Sequence, residues 1–385
     1  MTENNVSKRY VDLDYIRVIV TVLVVLYHCT MFVNPFPWHI KNNELDSSYI
    51  LGFGLMVGTW FMPIFFAISG ISTFHALQKR SSKEFVLERI VRLGLPIIFG
   101  ALILAPPQVY IERVSHHQFN GTFLDFLPHY FDGLYLEIGG TGNFAFMGLH
   151  LWYLLALLTF SLLTLPFIKW IEKSSSSSFG FRHYLLLPLV LLIEAVFLNA
   201  VNLGGWGLLF YLVIYMYGYI YFSHPSFRDF IRGRGIIFGA AALFTSTVYI
   251  GWFMSGVPFH SGIFSAVFTL VKVLNCWNWL LFIFWLGDRY FTASNILVKY
   301  GNKASLPIYI LHQPVIVILG FLIYQMQWPI IVKLLILFAV TSTLVIAVYH
   351  FMIQRTEFMG LLFGIHNKQV KACKEPAVLI KQEEL

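Results

Sequence analysis

The sequence predicts an all-α, polytopic membrane protein: a bundle of about ten transmembrane helices with both termini in the cytoplasm. Three observations carry this. Of 385 residues, 58% are apolar, against about 45–50% in a soluble protein. Only 12% are charged, about half the usual quarter. The cations also collect on one side of the apolar runs. A soluble domain of this composition could not cover its surface with polar groups. That excludes a soluble enzyme, a disordered chain and a nucleic-acid-binding domain. The net charge of +7 then needs no nucleic acid, because membrane proteins collect Lys and Arg in cytoplasmic loops.

Ten apolar runs are long enough to cross about 30 Å of hydrocarbon. They are 13–33, 50–77, 93–111, 148–168, 184–203, 205–222, 235–255, 263–286, 304–325 and 329–353. Only Gly204 and Gly205 divide the fifth from the sixth, so a re-entrant hairpin competes there with two crossings. With the N-terminus inside, 21 Lys and Arg fall in the inner segments and only Lys41 and Arg113 in the outer loops. That is a strong positive-inside bias, and it favours an even number of crossings. The first run ends in bulky Phe32-Val33-Asn34-Pro35, unlike a signal-peptide cleavage site. Residues 1–366 read as one membrane domain and 367–385 as a polar cytoplasmic tail, with a short Ser174–Ser178 loop between spans. The outer stretch 112–147 mixes Glu112, His116, His117, Asp125, His129, Asp132 and Glu137 with aromatic residues, which argues for order. Cys29, Cys276 and Cys373 have no paired spacing, and the thirteen His form no metal-ligand motif.

Charged groups are expensive inside a span and are usually functional. Arg17 and His28 are eleven residues apart in the first span. At 100° per residue they share one helix face, about 16 Å apart along the axis. Asp14 can pair with Arg17 one turn away. One face therefore presents a cation toward the cytoplasm and an imidazole toward the outside. That suits group transfer: an Arg can hold an anionic donor and a His can take a proton from a hydroxyl. A structural role, with Arg17 snorkelling and His28 bonding a carbonyl, suits the same residues. The inner loop Lys79–Arg92 is rich in cations, and Arg89 and Arg92 lie one turn apart on a helix. They suit phosphate, or plain positive-inside bias. Glu194, deep in a span, has Lys272 as a candidate ion-pair partner. Trp152 suits the interfacial aromatic belt, and His312 either lines a cavity or bonds a neighbouring helix.

The first span, Leu13-Asp14-Tyr15-Ile16-Arg17 through Leu26-Tyr27-His28, resembles the opening helix of the acyltransferase 3 family of membrane O-acyltransferases. That family carries Arg, ten residues, then His. Phe65-Phe66-Ala67-Ile68-Ser69-Gly70 is similar to its Phe-Phe-x-x-Ser-Gly signature, and Arg89-x-x-Arg92 to its Arg-x-x-Arg element. Leu149-His150-Leu151-Trp152-Tyr153-Leu154 and Ser305 through His312-Gln313-Pro314 match its later helices, closest to the glucan-modification branch. The resemblance covers residues 13–325.

It implies transfer of an acyl group, acetyl or succinyl, from cytoplasmic acyl-CoA to a hydroxyl of a glycan or similar acceptor. It also implies an inner-membrane location, with acyl-CoA as co-substrate and no bound cofactor or metal. Carried over, His28 is the catalytic base and Arg17 its donor-side partner, while Arg89 and Arg92 bind CoA. Asp14, Tyr27, Ser69, His150, Trp152 and His312 are supporting candidates, with Tyr27 and His150 as candidate oxyanion donors. Cys29 invites an acyl-cysteine relay, but it lies about 100° around the helix from His28. The soluble hydrolase-like domain of some family members is not seen, which leaves a shuttle to a second enzyme open. A multi-pass exporter of a glycan or organic anion is the competing reading, and a non-catalytic scaffold the third.

Overall fold

The computed structural model describes residues 10–46, 48–172, 181–199, 201–257 and 262–365. The tail 367–385, Cys373 and the Ser174–Ser178 loop lie outside the described residues. The helices are α1 Val11–Met31, α2 Tyr49–Gly58, α3 Phe61–Leu77, α4 Ser82–Ser115, α5 Leu149–Leu163, α6 Leu165–Glu172 and α7 Phe181–Phe197. A two-residue hairpin follows, β1 Asn202–Leu203 paired with β2 Trp206–Gly207. Then come α8 Leu208–Phe222, α9 Pro225–Arg232, α10 Gly235–Met254, α11 Gly262–Tyr290, α12 Ile296–Ile323, α13 Ile330–Ile353 and α14 Glu357–Leu362.

Each of the ten expected runs falls on a helix, but not all are full length. Among the described residues, seven helices are long and apolar enough to cross a membrane: α1, α2 with α3, α4, α10, α11, α12 and α13. The other three expected runs fall on the shorter α5, α7 and α8. The fifth run stops at Phe197, where the chain leaves the helix for the hairpin. Its Gly204 and Gly205 both take positive φ, +58° and +92°, the left-handed region that favours glycine.

The chain forms two compact units. The first holds Met1–Thr30, Asp46–Phe85 and Thr159–Asn302. Here α3 and α8 cross at two glycines. A Cβ on Gly70 would stand 2.0 Å from the Tyr215 carbonyl oxygen, and one on Gly218 2.2 Å from that of Ala67. The Ser-Gly element thus has a packing reason: only glycine lets these backbones touch. α2 and α3 are separated at Thr59-Trp60, and the break is anchored from outside. Trp206 Nε1 donates to the Thr59 carbonyl at 2.7 Å, and Asn275 Nδ2 donates to its hydroxyl at 3.0 Å.

The second unit holds Met31–Leu45, Val86–Leu158 and Lys303–Leu385. Its α4 contains two π turns, Ile90–Gly94 and Gly100–Leu104. Each lies just before prolines, Pro96 in one case and Pro106-Pro107 in the other. A proline lacks the N–H for the carbonyl four residues earlier, and its ring crowds that carbonyl. Those carbonyls belong to Arg92, Leu102 and Ile103, inside the π turns. A wider turn relieves the conflict without breaking the helix. The segment after α4 is ordered, as its aromatic content predicted. Phe126, Tyr130, Tyr135 and Ala145 bury themselves against Ala105 and Val109 of α4. Thr122 and Asp125 form a capping box at the start of its first helical turn.

Gly70→Ala should destabilise the first unit by about 1–3 kcal/mol or more, because backbone rather than a flexible side chain must move. Thermal unfolding in detergent checks this, and an unchanged melting temperature contradicts the crossing.

Candidate active site

The Arg17 and His28 face lies within the first unit. Helical φ/ψ from Val11 to Met31 place both groups as the spacing requires. Arg17 does not simply reach for water. Its Nη1 donates to Asn302 Oδ1 at 2.5 Å, and its Nη2 donates to Ser72 Oγ at 3.3 Å. Asn302 Nδ2 in turn donates to Asp14 Oδ1 at 2.5 Å. Asp14 itself stands 3.8 Å from Arg17. The asparagine therefore bridges cation and carboxylate, and three helices fix the guanidinium. Its side chain keeps 29% exposure, so it is held in place without being sealed off. Asn302 has no periodic partner on its own helix that would have marked it in the sequence.

His28 bonds through Nδ1 to the Val24 carbonyl at 2.8 Å. In the neutral ring this puts the proton on Nδ1 and the lone pair on Nε2, the form a general base needs. The ring is half-buried. Tyr27 packs edge-on against it at 5.4 Å and against Phe61 at 4.7 Å. Cys29 is fully buried, which removes it as an accessible acyl carrier.

The remaining candidates divide. Ser69 is half-buried on α3 in the first unit. Arg89 and Arg92 belong to the second unit, and Arg92 pairs at 3.9 Å with Glu88 one turn earlier. The Arg92 side chain is 48% exposed, so it stays accessible to an anion. Trp152 is half-buried in the first turns of α5.

His150 and His312 turn out to serve the helix α12. Pro314 has no N–H for the Ile310 carbonyl four residues back. His150 Nε2 donates to that carbonyl and to that of Tyr309, each at 3.1 Å. The Tyr309 hydroxyl donates back to the His150 carbonyl, and His312 Nδ1 donates to the Tyr309 carbonyl at 2.7 Å. The His-Leu-Trp and His-Gln-Pro elements thus meet to repair a proline break. This geometry gives His150 a structural task.

A second buried cluster, in the second unit, escaped the sequence reading. His39 Nδ1 lies 2.5 Å from Glu112 Oε2, with side-chain exposures of 4% and 0%. Tyr135 donates to the same oxygen at 2.7 Å. The Gly139 N–H and Arg113 Nη1 donate to Oε1 at 2.9 and 3.1 Å. Gln313 Nε2 donates to His39 Nε2 at 3.1 Å and to Gln108 Oε1 at 3.2 Å. That sets the tautomer: Nδ1 carries the proton toward the carboxylate. Burial first, and the facing carboxylate next, raise the Tyr135 hydroxyl well above its ordinary range, so it stays a donor. Nearby, Lys41 donates to the carbonyls of Met31 and Asn34 at 2.5 and 2.7 Å, capping the end of α1. Burial lowers its ammonium to about 7. The buried Lys333 holds Asn42 and Asn43 at 2.6 and 2.8 Å. The only sequence hint was the charge density of 112–147, because partners some seventy residues apart leave no periodic trace. Among the described residues no set of three His, Cys, Asp or Glu could hold a metal ion.

The long apolar helices define a multi-pass membrane protein, and the first of them carries a guanidinium and an imidazole on one face. The family model described as an acyltransferase domain matches residues 10–351, and the chain belongs to the acyltransferase 3 family. It is a membrane acyltransferase, which decides between enzyme and exporter. It is similar to proteins named glucans biosynthesis protein C from Salmonella paratyphi B, Salmonella schwarzengrund and Salmonella agona. Each is 23% identical over 331 residues, covering 80% of this chain and 82% of the relative. No solved structure matches the chain.

Glu112→Ala should cost about 3–5 kcal/mol, because it strands a buried imidazole and guanidinium. Thermal unfolding reads this directly. For Lys41 the sign follows from linkage. From about pH 7 to its ordinary 10.5, the unfolded chain holds a proton that the folded chain has released. This residue therefore makes stability rise with pH across that window. Melting temperatures of Lys41→Met should show a flatter rise than wild type over the same range.

Proposed function

We propose that this protein moves an acyl group, acetyl or succinyl, from acyl-CoA to a hydroxyl of a glycan, with His28 as general base. The observation that carries the reading is the orientation of His28. Its Nδ1 is tied to the Val24 carbonyl, which leaves Nε2 as the basic nitrogen. In the step we envisage, Nε2 takes the proton of the acceptor hydroxyl. The hydroxyl oxygen attacks the thioester carbonyl, the carbon–sulfur bond breaks and an ester forms. His28 then returns the proton to the leaving thiolate, giving free CoA. Arg17, steadied by Asn302, Asp14 and Ser72, holds negative charge on the donor. Arg89 and Arg92 are the proposed contacts for the CoA phosphates, which guanidinium groups bind bidentately.

The relatives named for glucan biosynthesis support a glucan as the acceptor. The strong positive-inside bias supports cytoplasmic termini and an inner-membrane location, with CoA on the cytoplasmic side.

The test is release of free CoA and acylation of an added glucan by purified protein in detergent. His28→Ala should lower acyl transfer by about 10²–10⁴-fold, the usual worth of a general base. Arg17→Ala should raise the KM for acyl-CoA, and Asn302→Leu should reproduce a milder form of that defect. Full activity in a folded His28→Ala variant would end the general-base reading. A wild-type protein that neither binds nor consumes acyl-CoA would end the donor assignment.

A further inference from the structure

Glu194 is the buried carboxyl that this chemistry leaves unused. It lies on α7 with 3% exposure. Lys272, its candidate partner, is engaged elsewhere: the ammonium sits 4.1 Å from the centre of the Trp206 ring and donates to the Gly205 carbonyl. Among the described residues, no donor meets either Glu194 oxygen with hydrogen-bonding geometry. The Phe210 N–H, in the first turn of α8, faces the carboxyl without completing such a bond. An intramembrane carboxyl left in this state is costly and calls for a ligand.

The surroundings say what kind. A Cβ built on Gly207 would stand 2.7 Å from Asn199 Oδ1 and 2.9 Å from Glu194 Oε1. Two acceptor oxygens therefore converge on one spot beside the Gly207 backbone, a cradle that any side chain there would fill. Asn199 is exposed while Glu194 is not, so the cradle has a wall on the surface. Converging acceptors call for a donor. A carboxyl can accept from a hydroxyl in either protonation state.

The cradle also lies at the end of the first unit that carries His28. Trp206, the neighbour of Gly207, donates to the Thr59 carbonyl. Gly58, just before, has the Tyr27 ring 3.5 Å from its Cβ position, and His28 follows Tyr27. The glycine hairpin and the base are thus linked through the break between α2 and α3.

We propose that Glu194 and Asn199, spaced by Gly207, form a subsite that binds a sugar hydroxyl of the acceptor glycan and positions it. The proposal rests on the acceptor class given above. It involves no covalent step.

The experiment measures binding of a glucan oligosaccharide to purified protein, together with acceptor and acyl-CoA KM values. Glu194→Leu, which removes the acceptor, and Gly207→Ala should weaken glucan binding and raise the acceptor KM by about tenfold, the worth of one lost hydrogen bond at a buried site. The acyl-CoA KM should hold. If Glu194→Leu fails to fold, Asn199→Ala tests the same cradle from its exposed side. Wild-type binding that all folded variants retain would overturn the subsite and leave the acceptor class standing. So would a lower melting temperature with unchanged glucan binding, which would mark Glu194 as structural only. A wild-type protein that is acylation-competent but binds no glucan would overturn the acceptor class itself, and the subsite with it.

Discussion

A hydrogen-bonding group inside this fold has only other protein groups to satisfy it. Lipid offers no donor or acceptor, so a polar atom that the sequence places among apolar helices favours a partner elsewhere in the chain or a ligand. Pro314 frees the Ile310 carbonyl, and His150 answers it from 160 residues away. Arg17 enters the first span, and Asn302 answers from 285 residues away. Lys333 is sealed at the start of α13, and Asn42 and Asn43 turn their carbonyl oxygens to it. Helices alone fix no arrangement in lipid, because their apolar faces are interchangeable. In this protein the polar demands distinguish one arrangement from the others.

The same rule explains how glycine and proline are used. Gly70 and Gly218 remove side chains where two backbones meet, and close approach is what packs helices when burial of apolar surface offers no gain. Prolines in α4 and α12 break hydrogen bonds, yet neither helix ends. One absorbs the loss by widening its turns, and the other borrows an imidazole.

Much of this was legible in the sequence, and the limits were physical. The ten apolar runs each mark a helix, because hydrophobic length is a local property. The sharing of a face by Arg17 and His28 follows from helix periodicity alone. The family elements were readable as motifs but not as tasks. Gly70 looked like part of a signature and is a crossing point. His150 was a candidate oxyanion donor and answers a proline break, while His312 bonds the Tyr309 carbonyl of its own helix. The Glu112 cluster gave no periodic signal, since His39, Tyr135 and Gln313 come from three distant segments. Lys272 seemed the natural mate of Glu194 because opposite charges in lipid attract attention. The glycine turn at 204–205 supplies the lysine with a carbonyl and an aromatic face instead.

The two π turns in α4 carry a consequence for how such chains vary in length. A π turn holds one residue more than the α turn it replaces. Removing a residue from Ile90–Gly94 would therefore let the turn close to an α turn, and the helix beyond it would keep nearly its present facing. Length changes there are absorbed in the turn: they preserve both the helix and the side chains that it offers to its surroundings further on. Relatives that differ by a single residue in this stretch should be compared with the gap placed inside the π turn.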